Sequence, residues 1–130
     1  GFAAEMHAVG GKKAAVGYDG RLSSQALEQA LVDGLVDSGI DVVRSGLGPS
    51  PMLYFATHLL DADAGLMITG SHNPPEFNGI KMTLKGHAFF DQDIQRLGER
   101  VKSEDFIDGK VIFIHNKMFR FIRNHYSSGL

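Results

Sequence analysis

The residues best placed by type and spacing to do chemistry lie in Thr69-Gly70-Ser71-His72-Asn73-Pro74-Pro75-Glu76-Phe77-Asn78-Gly79-Ile80-Lys81. Ser71 carries a hydroxyl that becomes a nucleophile once a base or a neighbouring charge activates it. Its surroundings are suited to holding it still. Gly70 can take backbone angles closed to other residues, Pro74-Pro75 stiffen the middle of the loop, and Asn78-Gly79 supplies a turn. His72 adjoins Ser71, but adjacency in sequence does not make a catalytic pair. A Ser-His-Asp hydrolase draws its members from distant parts of the chain, and the G-x-S-x-G elbow is missing. A turn rich in Ser, Asn and Pro that happens to contain a histidine is the plainest alternative.

The flanks indicate what positions this loop. Ala64-Gly65-Leu66-Met67-Ile68 is a short apolar run of the kind a buried strand makes, and Ile80-Lys81-Met82-Thr83-Leu84 alternates as in a half-buried strand. Upstream, Phe2 to Val9 reads as a helix closed by Gly10-Gly11, and Lys13 to Tyr18 as the first strand. Asp19-Gly20 turns the chain into a helix capped by Ser23 or Ser24 and running to about Ser38. Leu27, Ala30, Leu31 and Leu35 form its apolar face, Gly34 allows close approach and Gly39 ends it. Ile40 to Arg44 is a second strand. The next helix has Ser50 as cap and Pro51 at its first position, and carries Leu53, Tyr54, Ala56, Thr57 and Leu60. Past the Ser71 loop, Asp91-Gln92-Asp93 caps a helix reaching Lys102, with Ile94, Leu97 and Val101 on its core face. Val111 to Ile114 reads as a further strand.

Strand, helix, strand, helix, strand predicts an α/β fold, a three-layer αβα domain on a mixed, mostly parallel sheet. Ligands gather beyond the carboxyl ends of the strands in such sheets. Segments 19–24, 45–51 and 70–79 should therefore converge on one edge, with two helix N-termini turned towards an anion. Other candidates fall away. Gly46-Leu47-Gly48 lacks the third Gly of a dinucleotide loop, because Pro51 stands in its place. Asp61-Ala62-Asp63 enters a strand at its amino end and reads as a solvated turn. His7, His58, His87, His115 and His125 show no metal-ligand spacing. Asn116 to His125 is basic and aromatic, but one short stretch is weak ground for nucleic-acid contact and fits packing on a neighbouring domain better.

The full string Thr69-Gly70-Ser71-His72-Asn73-Pro74, followed by Asn78-Gly79-x-Lys81, closely resembles the active-site serine loop of the α-D-phosphohexomutases. Thr-Gly before Ser-His-Asn-Pro is most similar to the bacterial phosphomannomutase/phosphoglucomutase group; the phosphoglucosamine mutases more often carry Ala in place of Gly70. A second block resembling the family, Gly17-Tyr18-Asp19-Gly20-Arg21-Leu22-Ser23, lies upstream. The resemblance covers residues 1–105, the first of four domains in that family, and leaves 106–130 as an unassigned linker or terminal segment.

The resemblance implies an enzyme that moves phosphate between the C1 and C6 oxygens of a hexose through a bisphosphate. Ser71 would be the phosphocarrier and, through its phosphate, one ligand of Mg²⁺. Lys81 would act near the transferring proton, His72 would hydrogen-bond the reacting sugar oxygens, and Asn73 would anchor the loop and contact substrate. Arg21 taken alone is a surface ion pair, worth little; its place in the second block implies a substrate contact. Expected partners are a hexose phosphate (glucose or mannose), a hexose 1,6-bisphosphate activator and the remaining mutase domains. The family's Asp-x-Arg-Gly segment, its Asp-Gly-Asp-x-Asp-Arg metal loop and its Gly-Glu-x-Ser-Gly sugar loop do not occur here. The sequence therefore reads as an N-terminally truncated first domain, inactive alone. The alternative is a non-catalytic sugar-phosphate-binding or structural fragment that retains the loop.

Composition is compatible with this reading. With 43% hydrophobic and 22% charged residues, the 130-residue chain resembles an ordinary soluble domain. A net charge of −2 gives no reason to expect nucleic acid or an acidic membrane surface as partner. Cysteine is absent, which excludes disulfides and thiolate metal sites and is compatible with the expected cytoplasmic location.

Overall fold

Three apolar strands take the centre of the molecule. The computed structural model describes residues 1–107, 109 and 114–115. In it β1 (Lys13–Tyr18) is flanked by β2 (Asp41–Leu47) and β3 (Ala64–Ile68), all parallel. Every residue of β3 is buried, as a parallel sheet covered on both faces requires. β1 leads to β2 through α2 (Ser24–Asp37), and β2 to β3 through α3 (Ser50–Leu59). The first crossover moves one strand outwards from β1 and the second returns from β2 past β1 to β3, so the two run in opposite directions and their helices lie on opposite faces. Val32 and Leu35 of α2 pack with Phe2, Ala3 and Met6 of α1 (Phe2–Ala8) over Ala14, Val16, Val42 and Leu66. Leu53 of α3 packs over Ala15 and Met67 on the other face. The expected three-layer αβα architecture is met.

After the Ser71 loop the chain returns as β4 (Ile80–Leu84), antiparallel to β3, and then as β5 (His87–Ala88). Residues Ile114–His115 form β6 beside β2, giving the order β5-β4-β3-β1-β2-β6. Of the further strand expected at Val111 to Ile114, only Ile114 falls among the described residues; the basic, aromatic segment 116–125 lies outside them.

Several local expectations need correction. β2 continues through Ser45, Gly46 and Leu47, because a bulge opposite Val16/Gly17 tucks in an extra residue. Ser45 fills it, fully buried, with its hydroxyl donating to the Val16 carbonyl. The inner face of α2 is Ser24, Glu28, Val32 and Leu35, whereas Leu27 is 43% exposed and Gly34 faces open space. Hydrophobicity misplaces this face because two polar residues are buried with partners of their own. Neither Ser23 nor Ser24 makes a side-chain cap bond. Pro49, with Ser50 as the first helical residue, stands at the N-cap of α3. Asp63 is more than a solvated turn: its carboxylate accepts the Lys12 and Lys13 N–H groups and pairs with Lys85.

The last helix, α4 (Gln92–Lys102), buries none of its residues. Leu97 meets the core margin, but Ile94 and Val101 stay exposed. Charge holds the helix down instead, since Arg96 and Arg100 donate to the buried Glu5 of α1 at 3.0 and 2.7 Å. Burial alone would raise the Glu5 pKa, yet these two guanidinium groups bring it below its ordinary value.

A second buried carboxylate joins α2 to β2. Glu28 is fully buried and receives Arg44 in a two-pronged contact, Nε to Oε1 at 2.8 Å. Glu28→Ala should lower unfolding stability by about 2 kcal/mol, because it leaves the half-buried Arg44 cation without its carboxylate. Urea denaturation checks this, and a loss below about 1 kcal/mol would show that the pair is effectively solvated.

Candidate active site

The register of the parallel strands sets Tyr18 level with Leu47 on one side and Ile68 on the other. The chain therefore leaves the sheet at Asp19, Gly48 and Thr69 along one edge, as expected for the three loops. β1 and β3 are neighbours, so the turn after Tyr18 and the loop after Ile68 lie against each other. Asp19 N–H donates to the Ile68 carbonyl at 3.0 Å and fastens them.

The Ser71 loop is tied at its neck and twice within. Thr69 N–H reaches Gly79 O at 2.9 Å, Asn73 N–H reaches Gly70 O and Phe77 N–H reaches Pro74 O, both at 3.0 Å. Ser71 has φ +56°, a left-handed conformation that residues with a Cβ avoid. Its N–H donates to Thr69 Oγ1 at 3.0 Å. Its hydroxyl is exposed and lies 3.5 Å from Lys81 Nζ. Lys81 is paired with Met67 across β3 and β4, which places it on the face that carries α3.

Arg21 binds the loop from outside. Nη1 donates to Pro74 O at 2.8 Å and Phe77 O at 3.2 Å, and Nη2 to Ser71 O at 2.9 Å and Asn73 O at 2.8 Å. Nε donates to Asp19 Oδ2 at 3.2 Å. A guanidinium has five N–H bonds, and each has an acceptor here. No donor is left for a substrate, so the expectation of Arg21 as a substrate contact does not fit its geometry.

Asp19 is the hub that sequence reasoning missed, having treated it only as a turn residue. Its carboxylate accepts from Ser24 Oγ, from the N–H groups of Arg21 and Gly70 at 3.1 and 3.3 Å, and from the Thr69 hydroxyl. Burial pushes its pKa up, but the hydrogen bonds from Ser24, Arg21, Thr69 and Gly70 outweigh it and hold the group at about 2. Asn78 completes the ring by donating to Ser24 and Ser23 at 2.8 and 3.0 Å. The signal available in the sequence was the recurrence of Ser24 and Glu28 in step with Val32 and Leu35.

The structure thus brings Ser71 and Lys81 together. His72 and Asn73 flank them, both exposed. It is the backbone of Asn73 that anchors the loop. A shallow hollow of about 450 Å³ beside the loop is lined by Asp19, Gly20, Arg21, Leu22, Asn73 and Pro75. A larger cavity of about 780 Å³ lies by Tyr54, His58 and Asp61, at the amino end of β3 and away from Ser71. Among the described residues no three His, Asp or Glu side chains gather as a metal cluster, and the Asp19 carboxylate is already engaged. These residues do not make a Mg²⁺ site of their own.

The chain matches the family described as phosphoglucomutase/phosphomannomutase, alpha/beta/alpha domain I, over residues 1–108. It is 45% identical over 95 residues to a phosphomannomutase/phosphoglucomutase of Pseudomonas aeruginosa, covering 73% of this chain and 20% of that protein. It is 44% identical over 95 residues to a probable phosphoglucosamine mutase of Pyrococcus abyssi, covering 73% and 21%. A crystal structure of a phosphoglucomutase/phosphomannomutase family protein from Burkholderia thailandensis superposes with a TM-score of 0.85 at 38% identity, over 96% of this chain and 28% of that one. The chain spans about a fifth of the length of the curated relatives.

Gly70 touches the hub directly. A Cβ placed there would stand 2.4 Å from Arg21 Cζ and 2.7 Å from Phe77 O. Gly70→Ala should displace the guanidinium and lower stability by about 1–3 kcal/mol, measurable by thermal melts; an unchanged melt would mean that the clasp is slack.

The Asp19 pKa yields a pH signature. A carboxylate whose pKa is depressed by folding stabilises above its unfolded value, about 3.9, and loses that contribution as pH falls through the folded value. The stability gap between the native protein and Asp19→Asn should be flat above pH 5 and close between about pH 4 and pH 2. Carboxyl carbon NMR checks the cause, and a midpoint near 4 for Asp19 would remove the basis for it.

Proposed function

The chain belongs to the phosphoglucomutase/phosphomannomutase family, as its α/β/α domain I, and from that premise we propose that Ser71 carries the phosphoryl group in a hexose-phosphate mutase reaction. One observation carries this reading: an exposed serine hydroxyl, fixed in a left-handed conformation, with a lysine ammonium 3.5 Å away. In the forward half-reaction a sugar hydroxyl attacks phosphoserine 71. The bond from phosphorus to the serine oxygen breaks, a bond to the sugar oxygen forms, and the sugar hydroxyl's proton ends on the released serine oxygen. The hexose bisphosphate then reorients, and its other phosphate returns to Ser71. Such transfers depend mainly on positioning and charge neutralisation.

Lys81 is suited to both needs, as a positive charge beside the phosphate and as the group nearest the moving proton. His72 and Asn73, exposed beside Ser71, are assigned to the sugar oxygens. A Ser71 phosphate would offer Mg²⁺ one oxygen, with the remaining ligands and the charge neutralisation they bring coming from outside this chain. The chain's short span relative to its relatives supports two further points: turnover requires the remaining mutase domains, and the 130 residues alone are inactive. The substrate class is a hexose phosphate, glucose or mannose, with a hexose 1,6-bisphosphate as activator, and the setting is the cytoplasm. No helix among the described residues is long and apolar enough to cross a membrane.

In the full-length enzyme carrying this domain, Ser71→Ala should change stability by less than about 1 kcal/mol, as at other exposed positions, while activity falls by orders of magnitude. Intact-mass measurement after incubation with glucose 1,6-bisphosphate should find phosphate on the native protein and none on Ser71→Ala. Lys81→Met should accept phosphate but return it slowly to sugar. Retained activity with phosphate on another residue of Ser71→Ala would overturn the assignment.

A further inference from the structure

We infer that Arg21 is the positioning residue of the nucleophile: it holds Ser71 in its left-handed conformation and touches no substrate. The inference rests on Ser71 as phosphocarrier. The conformation at φ +56° is unfavourable for serine and persists only where surrounding contacts impose it. Two contacts do so: the Ser71 N–H donates to Thr69 Oγ1, and Arg21 Nη2 donates to the Ser71 carbonyl. The same guanidinium gathers the carbonyls of Asn73, Pro74 and Phe77, so the loop is wrapped around one planar cation. Asp19 sets the angle of that plane through Nε and also holds Gly70 N–H, the residue before the nucleophile. The peptide after Ser71 is thus held by Arg21, and the one before it by Thr69, whose hydroxyl bonds Asp19 at the end of β1.

This arrangement differs from an ordinary ion pair and from a substrate clamp. An ion pair would need only Asp19, whereas four of the five contacts are to loop carbonyls. A substrate clamp would need a free donor and access, yet every donor is engaged and the side chain is only 13% exposed. Lysine cannot replace it, because an ammonium has three donors and no fork to span four acceptors. Gly70 supports the same assignment, since any Cβ there would occupy the place of the guanidinium.

The test uses Arg21→Lys in the full-length enzyme and in the 130-residue chain. In the enzyme, kcat should fall about 10- to 100-fold while KM for hexose phosphate moves less than about threefold, because misplacing a reacting atom damages transfer more than binding. Free guanidinium at non-denaturing concentration should restore part of the kcat of Arg21→Ala. In the chain, amide exchange at Asn73 and Phe77 should quicken about tenfold while Leu66 and Met67 in β3 keep their protection. If Arg21→Lys fails to fold, Asp19→Asn should shift the same quantities in the same direction by less. A raised KM with kcat preserved would make Arg21 a substrate ligand and overturn the inference. Unchanged kcat and loop exchange, or loss of protection throughout β3, would overturn it as well. Absence of phosphate on native Ser71 would instead defeat the phosphocarrier reading, and the loop-exchange result distinguishes that failure from this one.

Discussion

Register between β1 and β3 governs the rest of this molecule. Side chains alternate along a strand, so pairing is discrete, and a slip of one residue would exchange the faces of β1. With Tyr18 beside Ile68, Ala14 and Val16 meet α1 and α2 while Ala15 meets α3. The same pairing delivers Asp19 and Arg21 to the base of the Ser71 loop. Core packing and site geometry are therefore set by one choice, and selecting the buried core also selects the loop contacts.

The polar interior beneath the site has a related logic. Ser24 and Glu28 are fully buried on a helix face that would otherwise be aliphatic. Each meets a group of opposite need: Ser24 bonds Asp19 and Asn78, and Glu28 bonds Arg44. Burying such groups is unfavourable unless they are satisfied, and no described buried side-chain atom lacks a partner. The loop's support is thus directional, and orients the loop in a way that apolar contact alone would not.

Much of this was legible in the sequence. Strands β1 and β3 fall where their apolar residues predict them, and the Gly and Pro positions mark the turns. Ser71 and Lys81 were singled out as a pair only through the resemblance of their loop; that β4 runs antiparallel to β3 and returns Lys81 beside Ser71 is seen in the structure. What escaped were contacts between residues far apart in the chain. Nothing local distinguishes an Asp that turns the chain from one that gathers four neighbours, or an Arg that binds anions from one that binds carbonyls. The face of α2 and the exposure of α4 were misread for a similar reason. Hydrophobic periodicity does not register that Glu28 and Glu5 are buried against arginines.

The separation between Arg21 and its acceptors bears on how the chain acquires its shape. Arg21 and Phe77 are 56 positions apart, and β1 finds β3 only after β2 and two helices intervene. Contacts of such span form late, because a long loop must close before any hydrogen bond rewards it. During synthesis from the amino terminus, Arg21 emerges well before the carbonyls it will gather. A nascent chain can therefore hold α2 against β1 and β2 with the guanidinium still in water. Assembly of the serine loop then coincides with the moment the central sheet becomes continuous, and only the docking of α4 on Glu5, across still longer spans, remains to follow it.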